Sequence, residues 1–226
     1  MQKISTIFWD LDGTLISTNE LYDQAIKFAC AQINCNMTRE IEDLPNGQTL
    51  LADFIFLTGL SPNNNSKILN QLKNLAILYF KTNFNNNLLI KKSLELFNYF
   101  HQLGIKQSII SNSNQELCDF AINSIGIKDK CLYCFGLESV KYGKPNPEIY
   151  LKALKAHNIT NSECLVFEDS ITGVNAAKSA NLTVISIGLE ANKMNPDYIW
   201  DINTESVSVI FNKLSKSYKF TKLVIA

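Results

Sequence analysis

The sequence predicts an α/β protein in which a Rossmann-like parallel sheet core is flanked by helices and carries a helical cap inserted after the first strand. Three observations support this fold class. An apolar, β-prone run over residues 7–9 stops at two carboxylates, Asp10 and Asp12. The segment from about 19 to 89 has helical periodicity and little strand character. From about Lys91 onward, helix-like and strand-like segments alternate, as in right-handed βαβ units.

The first predicted strand delivers its two carboxylates to the same place. Side chains two residues apart in an extended segment point the same way, so Asp10 and Asp12 should lie side by side. Gly13 then allows a sharp turn. Neighbouring carboxylates repel each other, so that one stays protonated or both need a cation. This suits a nucleophile beside a general acid, with a metal to hold them. The alternative is a strand that stops in an ordinary Asp-Gly turn.

The next segment is predicted to be a helical insert. Residues 17–88 are assigned to the helical cap domain, and residues 1–16 and 89–226 to the core. Two polar, asparagine-rich stretches, 62–65 and 83–87, are predicted to be linkers between helices. The loop 47–49 is either a plain turn before a helix or a loop that faces the substrate.

The remainder of the chain alternates between the two element types. The predicted helices and strands are 92–103, 107–111, 115–125, 132–135, 147–157, 164–167, 172–180 and 183–187 in chain order, beginning with a helix. Four helices are predicted to stop where glycine or asparagine precedes an apolar residue, at Gly104, Gly126, Asn158 and Asn181. A last strand at 198–202 and a last helix at 205–216 are weaker predictions, and the tail 222–226 is left unassigned.

The composition excludes several classes of function. Among 226 residues, 21 Lys and Arg balance 21 Asp and Glu, so that no strong field favours nucleic acid or an anionic membrane. The longest apolar stretch, 50–60, is too short to span a bilayer and contains Asp53. No small-residue cleavage site follows the apolar start, so a cytoplasmic location is expected. We also expect a monomer, since no heptad or large apolar repeat is evident.

The cysteines do not indicate a disulfide scaffold. Six of them are scattered along the chain, mostly in apolar runs, which is typical of reduced, buried thiols. The one close pair, Cys131 and Cys134, has no second Cys/His pair to complete a metal or redox motif. We expect it to belong to a buried strand.

Polar residues follow the carboxyl ends of the predicted strands, and ligands bind at these ends in open parallel sheets. They are Asp10, Asp12, Ser111, Asn112, Glu168 and Asp169, together with Lys144 in the loop after the third strand. Three of the carboxylates and a phosphoryl group would bring together about five negative charges. One Mg²⁺ and Lys144 would return about three positive ones. Mg²⁺ is expected because the ligands are hard oxygens, and no His or Cys is placed to bind zinc.

Four segments resemble, in order, the four motifs of the haloacid dehalogenase-like (HAD) hydrolase superfamily. They are Asp10-Leu-Asp-Gly-Thr-Leu, Ser111-Asn112, Lys144-Pro-Asn-Pro-Glu-Ile-Tyr and Glu168-Asp-Ser-Ile-Thr-Gly-Val-Asn-Ala-Ala. Within that superfamily the chain resembles the capped phosphatase, phosphoglycolate phosphatase and β-phosphoglucomutase-like branch. The resemblance implies a Mg²⁺-dependent phosphatase that hydrolyses a small phosphorylated metabolite.

The resemblance also implies a role for each site residue. Asp10 attacks phosphorus and forms an aspartyl-phosphate, and Asp12 protonates the leaving oxygen and then activates water. The implied Mg²⁺ ligands are Asp10, the main-chain carbonyl of Asp12 and Asp169, with Glu168 as a direct or outer partner. Lys144 steadies the nucleophile and the phosphate. The implied phosphate-binding residues are Ser111, Asn112 and Lys144.

Two other functions stay open at this point. A sugar-phosphate mutase of the β-phosphoglucomutase type shares all four motifs, but it is expected to carry histidine or basic groups in the cap linker. Here the two histidines, His101 and His157, lie at predicted helix ends, where they suit dipole partners or surface residues. A catalytically idle binding protein is the other alternative, against which the complete set of site residues argues. Where relatives often carry carboxylates after the first motif, this chain has Ser17, Thr18 and Asn19.

Overall fold

The computed structural model describes residues 1–44, 47–188 and 191–221. The strands are β1 (Gln2–Ile4), β2 (Thr6–Trp9), β3 (Lys106–Ile110), β4 (Tyr133–Phe135), β5 (Cys164–Glu168), β6 (Thr183–Ile187), β7 (Tyr198–Trp200) and β8 (Tyr218–Phe220). The α-helices are α1 (Asn19–Gln32), α2 (Leu50–Thr58), α3 (Pro62–Asn83), α4 (Lys91–Gln102), α5 (Gln115–Ser124), α6 (Glu148–His157), α7 (Ile171–Ser179) and α8 (Val207–Ser215). The tail 222–226, left unassigned from the sequence, lies outside the described residues.

Six strands form one parallel sheet in the order β4-β3-β2-β5-β6-β7. Strand β2 is buried along its whole length and lies between β3 and β5. Strands β3 and β4 lie on one side of β2, and β5, β6 and β7 lie on the other. The direction of the strand order therefore reverses at β2, which opens a crevice at the carboxyl ends of the central strands. The predicted α/β fold class is confirmed.

The two faces of the sheet are covered by different helices, because neighbouring side chains of a strand point to opposite faces. Ile7 and Trp9 pack in a cluster with apolar residues of α4, α5 and α8. Phe8 packs in a second cluster with residues of α6 and α7. Trp9 stacks on Phe167 of the neighbouring strand at 4.2 Å between ring centroids. Both faces of β2 are thus dry, as a central parallel strand requires.

Helices α1, α2 and α3 are inserted between β2 and α4, and they bury an apolar cluster of their own. Ala25, Phe54 and Leu72 are fully buried in that cluster, one from each helix. A smaller cluster joins Leu21 and Phe80 of the insert to Leu117 of α5. None of the helices within the described ranges combines the length and apolarity needed to cross a bilayer.

The predicted helix stops are confirmed. Gly104, Gly126, Asn158 and Asn181 all have positive φ, between 53° and 73°. In each case the next residue's N–H bonds to a carbonyl five residues earlier, for example Ile105 to Phe100 at 3.1 Å. This is the Schellman pattern, and it explains why asparagine replaces glycine at two stops.

One local prediction was wrong, and one strand pairing was not predicted. Residues 62–65 were expected to be a linker, but they form the first turn of α3, with a non-helical backbone at Asn65. Proline is favoured at the first helical position because its missing N–H has no helical partner there. The sequence also gave no sign of the small parallel sheet that joins β1 to β8.

Candidate active site

Three neighbouring strand ends bring the predicted site residues together. Asp10 follows β2, Ser111 follows β3, and Asp169 follows β5. Because β2 lies between the other two strands, their carboxyl ends open on one crevice. Gly13 makes the turn after β2 at a φ of 84°, and a Cβ there would overlap the Asp169 carboxyl group. Only glycine allows these two loops to approach so closely.

Lys144 is buried between two carboxylates. Its Nζ donates to Asp10 Oδ1 and to the Ile110 carbonyl, each at 2.7 Å, and it forms an ion pair with Glu168. Burial alone would lower the pKa of Lys144, but the charges of Asp10 and Glu168 outweigh it and raise this pKa above its ordinary value. The lysine is therefore a fixed cation under the nucleophile predicted from the sequence.

Glu168 is held on both of its oxygens. Oε1 accepts from Lys144 and, at 2.7 Å, from the Tyr150 hydroxyl, while Oε2 accepts from Ser170 Oγ at 3.2 Å. The side chain is fully buried, and its carboxyl group lies against Gly173 of α7. Glu168 thus acts as a buried anchor for the lysine.

The carboxylates of Asp10, Glu168 and Asp169 form a cluster whose nearest oxygens lie within 4.8 Å of one another. Burial raises the pKa of Asp10, and the charge of Glu168 raises it further against the opposing effect of Lys144. Burial and the charge of Glu168 likewise raise the pKa of Asp169 to about 7. One lysine therefore leaves the cluster with excess negative charge, and a hard divalent cation fits this set of oxygen donors.

Two oxygens of this cluster remain open for such a cation. Within residues 1–44, 47–188 and 191–221, Asp10 uses only Oδ1 in hydrogen bonds, and Asp169 uses only Oδ1, which accepts from Thr14 at 3.3 Å. Among the described residues, neither Oδ2 thus has a hydrogen-bond partner. Glu168, with both oxygens engaged, suits an outer position.

Asp12 accepts hydrogen bonds from three hydroxyl groups. Thr18 Oγ1 donates to its Oδ1 at 2.7 Å, and Ser113 and Ser111 donate to its Oδ2 at 2.6 and 3.3 Å. Burial raises the pKa of Asp12, while these hydrogen bonds lower it. The side chain thus lies beside Asp10 on a separate hydrogen-bond network.

Ser111 and Asn112 follow β3, as predicted, and the amide group of Asn112 is fully engaged in hydrogen bonds. The Asn112 amide donates to the carbonyls of Gly47 and Lys144, and its oxygen accepts from the Lys144 N–H, at 2.8 to 3.0 Å. All of its amide protons are thereby used. A phosphate contact by the Asn112 side chain, as implied by the motif, would break this set, which fastens the Lys144 loop to the inserted segment.

A cavity of about 780 Å³ opens above these groups, between the inserted helices and the carboxyl end of the sheet. Its floor includes Asp10, Asp12 and Lys144, while its other walls include Asp23 and Asp53 from α1 and α2. Burial raises the pKa of Asp53 to about 7, and the charge of Asp23 adds to this shift. The volume suits a small molecule that reaches the cluster.

The sequence missed several contributors. Ser113 and Thr18 hold Asp12, yet no motif includes them, and Tyr150, the last residue of the third motif, was given no role although it holds Glu168. The spacing of Ser111 and Ser113 was a usable signal, because residues two apart can face one site. His157 was expected to be a helix dipole partner or a surface residue. It does lie in the last turn of α6, but it is buried rather than at the surface, with Nε2 at 2.8 Å from Ser108 Oγ.

The comparisons with known proteins agree with this geometry. The family model of haloacid dehalogenase-like hydrolases matches residues 7–187, which include every predicted site residue. The chain belongs to this family. The predicted resemblance is therefore confirmed, as is the predicted enzyme class of HAD-like phosphoric monoester hydrolases.

Individual relatives give more detail. The "Phosphorylated carbohydrates phosphatase" of Thermotoga maritima is 26% identical over 186 residues, which cover 79% of this chain and 82% of that protein. The "Putative phosphatase YhcW" of Bacillus subtilis is 35% identical over 85 residues, which cover 38% of this chain and only 39% of that relative. A β-phosphoglucomutase structure from Clostridium difficile has a TM-score of 0.78 at 20% identity, covering 94% of this chain and 98% of that one. At that identity the structural likeness concerns the fold alone.

Proposed function

We propose that this chain is a Mg²⁺-dependent phosphatase that hydrolyses a small phosphorylated metabolite through an aspartyl-phosphate on Asp10. The observation that carries the proposal is the buried Lys144 ammonium, which is hydrogen-bonded to Asp10 Oδ1, while no described residue bonds to Oδ2. A carboxylate held in this way is oriented for attack and cannot rotate freely. The names of the curated relatives, among them a phosphatase of phosphorylated carbohydrates, support the substrate class.

The proposed reaction has two steps. Asp10 attacks phosphorus, the bond to the ester oxygen breaks, and Asp12 gives its proton to that leaving oxygen. Asp12 then takes a proton from water, whose oxygen attacks phosphorus and displaces Asp10 as inorganic phosphate forms. Splitting the displacement in this way replaces one difficult step by two easier ones. The raised pKa of Asp12 supports its carrying a proton into the first step.

The proposed cation ligands are Asp10, Asp169 and the main-chain carbonyl of Asp12. When bound, Mg²⁺ would offset the negative charge that the cluster and the phosphoryl group share. The engagement of both Glu168 oxygens supports an outer role for this residue, which orients Lys144. Ser111 and Lys144 are the proposed phosphate-binding side chains, and any contribution of Asn112 would come from its backbone N–H.

We also propose that residues 17–88 act as a cap over a core made of residues 1–16 and 89–226. The separate apolar cluster of α1–α3 supports this division. Gly47 lies at the boundary, where its carbonyl accepts from the Asn112 amide at 2.8 Å and from Thr172 Oγ1 at 3.2 Å. Closure of such a cap would exclude water from the phosphoryl group.

The test is turnover of 4-nitrophenyl phosphate by the purified protein with and without Mg²⁺. We expect hydrolysis that stops on chelation and returns on adding Mg²⁺, and we expect Asp10→Asn to lower the rate to background. Asp119→Asn is a matched control, because Asp119 lies on the exposed face of α5, away from the site. Turnover that survives chelation or the Asp10 substitution would remove the mechanism. Incubation with a hexose 1-phosphate separates a mutase, which yields an isomer, from a phosphatase, which yields free phosphate.

A further inference from the structure

A chain of two hydrogen bonds links helix α1 to the proposed acid/base. The Tyr22 hydroxyl lies 2.8 Å from Ser113 Oγ, and Ser113 Oγ lies 2.6 Å from Asp12 Oδ2. Tyr22 belongs to α1 of the inserted segment, whereas Ser113 follows β3 of the sheet. The contact therefore crosses from one part of the chain to the other at the reacting centre.

The direction of the protons along this chain follows from counting donors. A serine hydroxyl has one proton, and Ser113 gives it to Asp12. Ser113 must then accept from Tyr22, whose phenol has a single proton of its own. If Ser113 instead donated to Tyr22, the Tyr22 proton would need another acceptor, and none of the described residues accepts it. Burial raises the pKa of Tyr22, so that it stays a donor.

Tyr22 is itself held firmly by its ring. The ring packs on Phe80 at 4.9 Å between centroids and lies in the apolar cluster that includes Leu117 of α5. Its backbone N–H bonds to the Thr18 carbonyl one helical turn earlier, at 2.9 Å. Thr18 is the residue whose hydroxyl donates to the other oxygen of Asp12. The start of α1 thus acts on both oxygens of this carboxylate, directly through Thr18 and indirectly through Tyr22.

We infer that Tyr22 is a positioning residue for proton transfer, which acts through Ser113 to orient Asp12 only while α1 is packed against α5. The inference rests on the proposed function, since it assigns Tyr22 to the acid/base of that mechanism. The motifs do not include this residue, and its hydroxyl does not touch Asp10 or Lys144. Its contribution therefore concerns proton transfer to the leaving group rather than attack on phosphorus.

This assignment predicts dependence on the leaving group. The 4-nitrophenolate leaving group departs readily without a proton. Phenolate is more basic, so its departure depends more strongly on receiving a proton. Removal of the Tyr22 hydroxyl should therefore lower kcat/KM for phenyl phosphate about tenfold, the usual worth of one hydrogen bond in a buried network. For 4-nitrophenyl phosphate the loss should stay below about threefold. A merely structural role would lower both values by the same factor.

The experiment measures kcat/KM for both probes with Mg²⁺ in Tyr22→Phe, Ser113→Ala and the double variant. Phenylalanine keeps the ring that packs on Phe80. If Tyr22 acts through Ser113, the double variant loses no more than Ser113→Ala does. Tyr79→Phe is the matched control: its hydroxyl bonds to Gln24 on the exposed side of the insert at 3.3 Å, and we expect unchanged values.

The outcomes are distinct. Equal losses for both probes, no loss, or losses that multiply in the double variant would overturn the inference. If wild-type protein hydrolyses neither probe, the proposed function fails, and with it the inference. Should Tyr22→Phe fail to fold, Ser113→Ala alone carries the test, because the same selective loss for phenyl phosphate is expected there, and an equal loss would contradict it.

Discussion

Lys144 shows at the scale of a single residue how the site tolerates its charges. Its side chain is 2% exposed, and its two carboxylate partners, Asp10 and Glu168, are exposed by 9% and 0%. A buried carboxylate without a cation is costly, because nothing in the interior replaces the water it loses. We therefore expect the lysine to stabilise the fold as well as to serve the proposed chemistry.

Replacement of Lys144 by methionine should expose that dependence. In metal-free buffer near pH 7 we expect the free energy of unfolding to fall by about 3–5 kcal/mol, because two buried carboxylates lose their counter-charge. Urea unfolding followed by circular dichroism measures it. Lys152→Met, on α6, is the control, since that lysine is exposed. A loss below about 1 kcal/mol, which is typical of surface pairs, would show that water reaches the cluster.

His157 gives a second residue-scale prediction, on pH. Burial lowers its pKa to about 4, with the charge of Lys106 acting in the same direction. The unfolded chain, with a pKa near 6.5, binds the proton first on acidification. The stability due to the neutral ring is thus complete above pH 6.5 and is lost as the pH falls towards 4.

We therefore expect wild-type protein to lose unfolding free energy faster than His157→Gln between pH 6.5 and 4. One proton corresponds to a difference in slope of at most about 1.4 kcal/mol per pH unit. Urea titrations at closely spaced pH values measure both slopes. His101→Gln is the control, because that side chain is exposed at the end of α4. Parallel slopes for wild type and His157→Gln would show that the ring is not buried in the neutral state.

Residue identity predicted which side chains meet in the crevice better than it predicted the contacts that hold them there. Asp10, Lys144 and Asp169 were named from their motifs, and the structure brings all three to one crevice. The contacts of Asn112 were missed, since an asparagine beside a serine that is predicted to bind phosphate gives no sign that its amide fastens a loop. The burial of His157 was missed because its partner, Ser108, is far away in sequence.

At the scale of elements, local signals decided most boundaries. The four helix stops were predictable because glycine and asparagine tolerate positive φ at low cost. The pairing of β1 with β8 was not predictable, since the two strands have three residues each and lie at opposite ends of the chain. The start of α3 was misread because proline both ends and begins helices.

The packing of α7 on the end of β5 gives an element-scale prediction. A Cβ at Gly173 would overlap the Glu168 carboxyl group. Alanine normally stabilises a helix by about 1 kcal/mol relative to glycine. Here we expect Gly173→Ala to lower the unfolding free energy by about 1–3 kcal/mol, because the buried carboxylate must move. Thermal and urea unfolding measure the change.

The matched control for this prediction lies on the same helix. Asn175 is exposed, so Asn175→Ala should change the unfolding free energy by less than about 0.5 kcal/mol. We also expect Gly173→Ala to lose turnover, since Glu168 orients Lys144. A variant that is as stable and as active as wild type would contradict the close packing of α7 against this carboxylate.

At the scale of the whole molecule, the site exists only where the sheet and the inserted helices meet. The strand order places β2 between β3 and β5, and this explains why motifs about 100 residues apart share one crevice. The alternation of helices and strands predicted a parallel sheet with the site residues at its carboxyl end, but it did not predict this strand order. The seating of α1 was not predictable, because it depends on a cluster formed by residues from three distant segments. The roles of Thr18 and Tyr22 follow from that seating alone.

The most direct test of the central claim is the covalent state of Asp10 during turnover. Asp12→Asn, which cannot activate water, is mixed with 4-nitrophenyl phosphate and Mg²⁺, quenched in acid and mapped by peptide mass spectrometry. We predict that the peptide containing Asp10 gains the mass of one phosphoryl group, and that the Asp10→Asn/Asp12→Asn double variant gains none. A phosphoryl group on another residue, or none at all while wild-type protein turns the probe over, would contradict the account.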